Sequence, residues 1–271
     1  MNEKVKVYKR KVTKLTYRVL EEDPLPYFFS KHYPYTKIDV FDNKPVPTEY
    51  EAVFLENEYL RLMVIPQIGA RLYSAYDKIA GKQVFHYNDI IRPTMLAHRG
   101  AWIAVGLEFN LCQVYHHTVD NFSPVDYLYR KEEGGSATIY IGSLNRSSGV
   151  RYLVALTLRP EDSRINVKIK TFNTELIPNR YYFWSNSAVD ASDGFRFFYP
   201  GSQSSTGPYP INRKGIDMSW YKNYKKASDT FIVDSEEDFF ACYNYDKHRG
   251  LVHYANHYIV PGRKIFTWGG I

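Results

Sequence analysis

The sequence has few cysteines and lacks the common motifs for metals and nucleotides. Only two of its 271 residues are cysteine, Cys112 and Cys242, and they do not form the Cys-x-x-Cys spacing of zinc or redox sites. No Gly-x-Gly-x-x-Gly, Walker or Gly-x-Ser-x-Gly pattern occurs. We therefore expect no metal, no cofactor and no disulfide framework.

Long apolar runs are also missing. No stretch of about eighteen apolar residues exists, and the basic opening segment MNEKVKVYKRKVTK is not followed by an apolar signal region. We expect a cytoplasmic protein with no membrane partner. The formal net charge of +6 raises a nucleic-acid hypothesis, but outside the opening segment the basic residues alternate with acidic ones. Such interleaving is typical of a solvated face, so nucleic acid is the least favoured partner.

Aromatic residues are abundant, with 25 Tyr and 16 Phe. Rings favour half-buried strands, and they also line sites that stack against sugars or bases. Short runs rich in Val, Ile, Tyr and Phe, bounded by Gly, Pro, Asn and Asp, predict an all-β fold. Between Tyr50 and Tyr87 they predict a β-meander with turns at Asn57, Gly69 and Ala80-Gly81. Further antiparallel strands are predicted in SATIYIGSL, VRYLVALTLRP, RINVKIKTFNT, RYYFWSNSAV, DTFIVD, DFFACYNYD, GLVHYAN and KIFTWG.

Two regions depart from this pattern. Residues 1–48 contain KVKVYKRKVTKLTYRVL, interpreted as an edge strand pair, and predict lead-in strands packed on a main domain formed by residues 49–271. The segment YPGSQSSTGPYPINRKGIDMSWYKNYKK is rich in Gly, Pro and Ser and shows no periodicity. It predicts a long surface excursion, a kind of segment that is often functional.

The stretch GLEFNLCQVYHHTVDNFSPVDY carries the densest set of polar and aromatic side chains. If GLEFNL is extended, Glu108 and Asn110 project from the same face. Adjacent histidines on an extended chain point to opposite faces, so His116 and His117 cannot easily bind one metal ion. Two readings remain: a polar rim of the sheet, or a site whose hydrogen-bonding groups and rings bind a sugar.

Two further clusters carry rings and polar groups. In RYYFWSNSAV, Trp184 and Asn186 share a strand face, which is either core packing with a polar tip or a stacking surface. In GLVHYANHYIVPGRKIFTWGG, His253 and His257 are four residues apart, but the strand-like context argues against helical His-x-x-x-His ligation.

Several of these segments together resemble a prokaryotic domain of unknown function in the galactose-mutarotase-like group, which in longer relatives is followed by tetratricopeptide repeats. The resemblance runs from about Glu49 to the end. It implies a β-supersandwich, two large antiparallel sheets with a carbohydrate-binding cleft on the concave side. The segments that carry it are IPQIGARLYSAYD, RGAWIAVGLEFN, PVDY, NRYYFWSNSAV, SWY, DFFACYNYD and GLVHYANHYIVPGRKIFTWG.

In mutarotases of this group, an arginine follows a glycine turn, two histidines line the cleft, and a late carboxylate is the base. Here Gly69-Ala70-Arg71 resembles the arginine turn, and His117 or His116 resembles the first histidine. The second histidine position falls at Asn186, which cannot shuttle a proton at neutral pH. The late carboxylate would lie beyond Ile271. We therefore expect a sandwich that is incomplete at its C-terminus, through truncation or because a second chain completes it.

We predict a domain that binds a sugar or oligosaccharide in the cleft. Any chemistry would be acid/base work by Glu108 and His117 at an anomeric centre, as in a mutarotase-like epimerase, or in a glycosidase with Asp120 or Asp126 as second carboxylate. The alternative is a non-catalytic carbohydrate-binding or protein-interaction module that has lost the mutarotase base. The predicted substrate-binding residues are Arg71, Asn110, His116, Trp184, Asn186 and His253.

Overall fold

A computed structural model describes residues 4–21, 24–112, 117–180 and 182–268 of the chain. Within those ranges the regular structure consists of strands and short 3-10 turns, which confirms the all-β prediction. In the first part of the chain the strands are β1 Lys6–Thr16, β2 Val19–Glu21, β3 Val40–Phe41, β4 Val46–Glu56, β5 Leu60–Val64, β6 Arg71–Leu72, β7 Ser74–Asp77, β8 Lys82–Gln83, β9 Ile90–Ile91, β10 Thr94–Ala97, β11 Gly100–Trp102 and β12 Leu107–Cys112.

The later strands are β13 Asp126–Lys131, β14 Ala137–Asn145, β15 Val150–Leu158, β16 Asn166–Asn173, β17 Tyr182–Ser187, β18 Phe195–Phe198, β19 Gln203–Ser204, β20 Gly207–Pro208, β21 Ser228–Ile232, β22 Phe239–Asn244, β23 Arg249–Tyr254 and β24 Arg263–Thr267. Short 3-10 turns span Pro66–Ile68, Glu133–Gly135 and Tyr221–Asn223. In the described residues no helix is long and apolar enough to span a membrane.

The chain divides into two units, Met1–Val189 and Asp190–Ile271. In the first unit the largest sheet has the order β8-β7-β5-β4-β1-β9. Strands β4, β5, β7 and β8 pair antiparallel in sequence order, as the predicted meander requires. The opening basic segment forms two strands, β1 and β2, but they do not pair with each other. Strand β1 pairs with β4 along its whole length and with β9 at its end, whereas β2 pairs with β3.

The turn predicted at Asn57 is fixed by the Asn57 side chain. Its amide oxygen accepts the backbone N–H groups of Tyr59 at 2.9 Å and Leu60 at 2.7 Å. Its amide nitrogen donates to the carbonyl oxygens of Arg159 at 2.7 Å and Asp162 at 2.8 Å. Asn57 is buried, so all four hydrogen bonds are shielded from water. One side chain thereby shapes the hairpin between β4 and β5 and joins it to the turn after β15.

The core of the first unit forms where the meander is apolar on both faces. Residues 52–55 of β4 and 62–64 of β5 are all buried, so both faces of these strands are covered there. One buried cluster supports the strand that begins with Arg71. It consists of Tyr50, Ala52, Phe54, Met63, Ile65, Ile68, Tyr73, Ile91, Ile103 and Val105.

Two more sheets of the first unit have the orders β13-β14-β15-β16 and β17-β12-β6. The predicted segments SATIYIGSL, VRYLVALTLRP and RINVKIKTFNT form β14, β15 and β16. Strand β13 was not predicted, because its side chains are mostly exposed and its alternation is weak. The three-stranded sheet β17-β12-β6 is small, but it holds most of the residues predicted for the site.

The second unit contains two sheets with the orders β18-β22-β23 and β20-β19-β21-β24. The predicted strand segments between residues 228 and 268 form β21 to β24. The Gly-, Pro- and Ser-rich segment is largely irregular, but it supplies the short strands β19 and β20 and one 3-10 turn. The predicted division into residues 1–48 and 49–271 stays a prediction.

Candidate functional site

Three strands bring the predicted residues into adjacent rows. Glu108 on β12 lies opposite Arg71 on β6 and opposite Asn186 on β17. Two residues further along β12, Asn110 lies opposite Trp184. Because side chains alternate along a strand, Glu108 and Asn110 share a face, as do Trp184 and Asn186. The strand periodicity predicted from the sequence is therefore confirmed, and the pairing register adds Arg71 to the same row.

The carboxylate of Glu108 is the centre of the site. It is only 3% exposed. The Trp102 indole N–H donates to Oε1 at 3.0 Å, and the His117 ring nitrogen Nδ1 lies 3.1 Å from Oε1 and 3.2 Å from Oε2. The amide nitrogen of Asn121 also donates to Oε1, and that of Asn186 lies 3.5 Å from Oε2. The buried charge is thus surrounded by hydrogen-bond donors.

Arg71 supplies the opposite charge and is itself 1% exposed. Its Nη2 lies 3.6 Å from Oε1 of Glu108 and also donates to the side chain of Asn121. Its Nη1 donates to the carbonyl oxygens of Ile103 at 2.8 Å and Val105 at 3.3 Å. Arg71 therefore balances the carboxylate and holds the turn that leads into β12.

Both members of this pair stay charged near neutral pH. Burial raises the pKa of Glu108, but the hydrogen bond from His117 and the charges of Arg71 and His117 outweigh it and leave that pKa below its ordinary value. Burial lowers the pKa of Arg71, yet an arginine retains its proton in proteins. A carboxylate whose pKa lies below its ordinary value is a weaker proton acceptor near neutral pH.

A cluster of three tilted rings includes two of the groups that contact the carboxylate, Trp102 and His117. The ring of His117 lies between two tryptophans, with centroid distances of 5.1 Å to Trp102 and 5.0 Å to Trp184. The ring planes are tilted by 52° and 60°. All three residues are partly exposed, and the side chain of His117 is 12% exposed. The indole nitrogen of Trp184 has no hydrogen-bond partner among the described residues.

Asn110 holds the loop that carries His117. It is fully buried, and its side-chain oxygen accepts the backbone N–H of Thr118 at 2.8 Å. The backbone N–H of Asn121 donates to the carbonyl oxygen of Thr118 at 3.2 Å. Asn110 thus fixes the loop against β12 instead of facing solvent.

The two remaining predicted residues are His116 and His253. His116 lies outside the described residues. His253 belongs to the second unit, on β23, where its ring stacks on Phe240 at 4.7 Å. Burial and the nearby charge of Arg263 lower the pKa of His253. Its role in sugar binding stays a prediction. The residues that the structure brings together are Arg71, Glu108, Asn110, His117, Trp184 and Asn186.

Two contributors were not assigned to the site from the sequence. Trp102 lies six residues before Glu108, in RGAWIAVGLEFN, and reaches it because the chain turns back at Gly106, where φ is 64°. Asn121 lies in the polar stretch that was singled out, but nothing in its spacing indicated a contact with both Arg71 and Glu108. Contacts across turns leave no periodic signal in a sequence.

Neither aspartate considered as a second carboxylate contacts Glu108 by a hydrogen bond. Asp126 is exposed at the start of β13. Asp120 is 4% exposed, and its Oδ2 accepts the Tyr152 hydroxyl at 3.3 Å. Burial raises the pKa of Asp120 to about 6, although hydrogen bonds from Ser143 and Tyr152 act in the opposite direction.

The donor set around Glu108 is one of amides, rings and a guanidinium, which is unsuited to a cation. In the described part of the chain no group of three or more His, Cys, Asp or Glu residues could hold a metal ion. Arginine and asparagine N–H groups donate hydrogen bonds and cannot coordinate a metal.

The model of a family described as a domain of unknown function, DUF5107, matches residues 29–270. Among solved structures, a TPR-domain containing protein from Parabacteroides distasonis matches 100% of this chain with a TM-score of 0.86 and 22% sequence identity. The chain spans 47% of that protein's length. A galactose mutarotase-like protein from Clostridium acetobutylicum matches 73% of this chain and 75% of its own, with a TM-score of 0.47 and 11% identity. The family and the first structure confirm the resemblance to an uncharacterised domain with repeat-containing relatives.

The turn before Arg71 gives a first prediction. Gly69 has φ 104°, and a Cβ there would lie 2.7 Å from the carbonyl oxygen of Asp120 and 2.8 Å from that of Asn121. Gly69→Ala combines strain of about 1–3 kcal/mol with overpacking of similar size, so we expect a loss of about 3 kcal/mol or more in unfolding free energy. Urea denaturation measures this loss.

Gly134→Ala is the matched control for that prediction. Gly134 also has a positive φ, of 70°, but nothing lies within 4 Å of an added Cβ. We expect a cost of about 1–2 kcal/mol from the backbone alone. Equal losses of unfolding free energy in Gly69→Ala and Gly134→Ala would contradict the close approach of the Gly69 turn to the loop that carries Asn121.

The buried Asp120 gives a second prediction. An acid whose pKa is raised on folding to about 6 binds its proton more tightly in the folded state, so its contribution to stability is lost as pH rises from about 4 to about 6. At about 1.4 kcal/mol per pKa unit, this loss amounts to about 3 kcal/mol. Asp120→Asn should therefore become more stable relative to the wild type across this range, as measured by denaturation at each pH. A stability difference between Asp120→Asn and the wild type that stays the same across this pH range would refute the assignment.

Proposed function

The chain belongs to the DUF5107 family of domains of unknown function, and we propose that the β17-β12-β6 face of its first unit binds a carbohydrate by ring stacking. In this proposal Glu108 orients the binding residues and does not transfer a proton. The residues that touch the sugar are those of the cluster that are partly accessible, namely Trp102, His117, Trp184 and Asn186.

The observation that carries the proposal is the cluster of tilted rings that His117 forms with Trp102 and Trp184. A pyranose has an apolar face of C–H groups and a rim of hydroxyls. Half-buried tryptophan rings offer a broad apolar surface to the C–H face of the sugar. They lose little conformational entropy on binding because they are already packed. The hydroxyl rim then needs polar groups beside the rings.

Asn186 is suited to this polar role. Its amide nitrogen is held only weakly, at 3.5 Å from Glu108, which is at the outer limit for a hydrogen bond. A half-buried amide offers donors and an acceptor together, as a sugar hydroxyl requires. Asn186 can therefore bind a hydroxyl without breaking a strong contact within the protein.

The low pKa of Glu108 argues for binding without chemistry. A base that opens a sugar ring must accept a proton. Glu108 becomes protonated only at a pH below the ordinary pKa of a glutamate. Its oxygens already face the donors of Trp102, His117 and Asn121. Removing one partner of such a buried pair is costly, which is consistent with an orienting role.

A second candidate function is acid/base catalysis by His117. It is favoured by the position of Nδ1, which lies within 3.2 Å of both Glu108 oxygens. A carboxylate on one ring nitrogen fixes the tautomer and the ring orientation, as in known catalytic pairs. In this case Glu108 remains a positioning residue, and His117 alone handles the proton.

The test is a titration of the protein with monosaccharides and oligosaccharides, followed by ligand-observed NMR. We expect the wild type to bind a sugar and Trp184→Ala to bind it with an affinity lower by about tenfold or more, which corresponds to about 1.4 kcal/mol of binding free energy. The control is Trp268→Ala, which removes a tryptophan that is 69% exposed in the second unit. That variant should bind as the wild type does.

The same spectra measure anomer interconversion, which separates the two candidates. The binding proposal expects no acceleration of interconversion by the wild type. Acceleration that disappears in His117→Asn, while sugar binding persists, would replace it with the catalytic candidate. Absence of binding to every sugar tested would remove both and leave a protein-interaction module.

A further inference from the structure

A cavity of about 280 Å³ lies within the second unit, beside the strands β19, β20 and β21. It is formed mainly by the Gly-, Pro- and Ser-rich segment that the sequence marked as an excursion, and the proposed sugar site does not use it. Its volume is near the lower end of small-molecule sites, about 300–1,000 Å³. The residues around it are Ser204, Thr206, Pro208, Tyr209, Asn212, Arg213, Lys214, Met218, Tyr224, Ser228 and Thr230.

One wall of the cavity presents three consecutive donor side chains, Asn212, Arg213 and Lys214. The side-chain oxygen of Asn212 accepts the backbone N–H groups of Lys214 at 2.9 Å and Ile216 at 3.1 Å. This closes a tight turn and leaves the amide nitrogen of Asn212 to donate elsewhere. Among the described residues neither Arg213 nor Lys214 has an acidic or hydrogen-bonding partner for its side chain.

The guanidinium of Arg213 lies close to β20. A Cβ placed on Gly207 would be 3.7 Å from Nε of Arg213. The guanidinium group therefore lies near Gly207, which has no side chain. An arginine fork offers parallel N–H groups to two oxygens of one anion. Lys214, next in sequence, adds a point charge.

The other wall carries hydroxyl groups. Oγ1 of Thr206 lies 3.1 Å from Oγ of Ser204 and 3.2 Å from Oγ1 of Thr230. Ser228 also borders the cavity. The Ser204 hydroxyl donates to the carbonyl oxygen of Gly207 at 2.8 Å, whereas the hydroxyl hydrogens of Thr206 and Thr230 can rotate toward a ligand oxygen.

No acidic residue lines the cavity, and the acids nearest in sequence are engaged. Asp229 pairs with Lys264 at 2.9 Å. Asp217 accepts the backbone N–H of Ser219 at 2.9 Å. That hydrogen bond leaves Asp217 charged, and its charge reaches the lining residues Tyr209 and Tyr224. The two cations Arg213 and Lys214 outnumber this carboxylate, and the resulting local excess of positive charge attracts anions.

We propose that this cavity binds a tetrahedral oxyanion, the phosphate or sulfate group of a small-molecule ester. The residues that line it include an arginine, a lysine, an asparagine and several hydroxyl-bearing residues. Such a set of donors suits the three or four oxygens of a phosphate or sulfate better than the two oxygens of a carboxylate. The cavity has room beyond a single such group, which the rest of the ester would fill.

The experiment titrates inorganic phosphate, inorganic sulfate, glucose 6-phosphate and glucose into the full chain at low salt, by calorimetry. The variant is Arg213→Gln/Lys214→Gln, and the control Lys225→Gln/Lys226→Gln removes two exposed lysines outside the cavity lining. Both variants remove the same charge. We expect the control to bind anions like the wild type and the first variant to bind them at least about tenfold more weakly.

Tighter binding of glucose 6-phosphate than of inorganic phosphate would identify a phosphate ester as the ligand class, whereas preference for sulfate over phosphate would identify a sulfate ester. Equal weakening in both variants would overturn the proposal, because the effect would then come from net charge. Failure of the wild type to bind phosphate, sulfate and glucose 6-phosphate would overturn it as well. Thermal unfolding of each variant verifies the fold, and glucose binding at the first site should be the same in all of them.

Discussion

The site of the first unit depends on one buried charge, the carboxylate of Glu108. Burying a carboxylate without compensation costs several kcal/mol, so the surrounding structure must supply donors and a counter-charge. They come from four places in the chain: Arg71 on β6, Trp102 on β11, Asn186 on β17, and the loop with His117 and Asn121. Each of these segments is therefore held in a definite position relative to β12.

This constraint also explains the arrangement of the rings. Trp102 and His117 both contact the same carboxylate oxygen, which brings the two rings together. Trp184 joins these rings because the register of β12 and β17 places it opposite Asn110. A firmly ionised carboxylate thus organises an aromatic surface, and the arrangement favours recognition of a ligand over proton transfer by Glu108 itself.

Strand periodicity predicted most of the framework from the sequence. It identified the meander, the shared face of Glu108 and Asn110, and that of Trp184 and Asn186. It could not reveal Trp102, whose approach depends on a turn held by hydrogen bonds from Arg71 to backbone carbonyl groups, which any residue can provide. For the cavity of the second unit, the sequence offered only a segment rich in Gly, Pro and Ser. Its donor and hydroxyl-bearing residues come together through tertiary contacts, which the sequence does not show.

The central claim is that Glu108 is held as an anion by its neighbours. Its side-chain carboxyl can be observed by ¹³C NMR in protein labelled at glutamate, with the resonance assigned from its absence in Glu108→Gln. The account predicts a chemical shift that stays that of a carboxylate as pH falls to the ordinary value of 4.5, with titration only below it. A midpoint above 4.5 would contradict the account, because Glu108 would then carry a transferable proton closer to neutral pH.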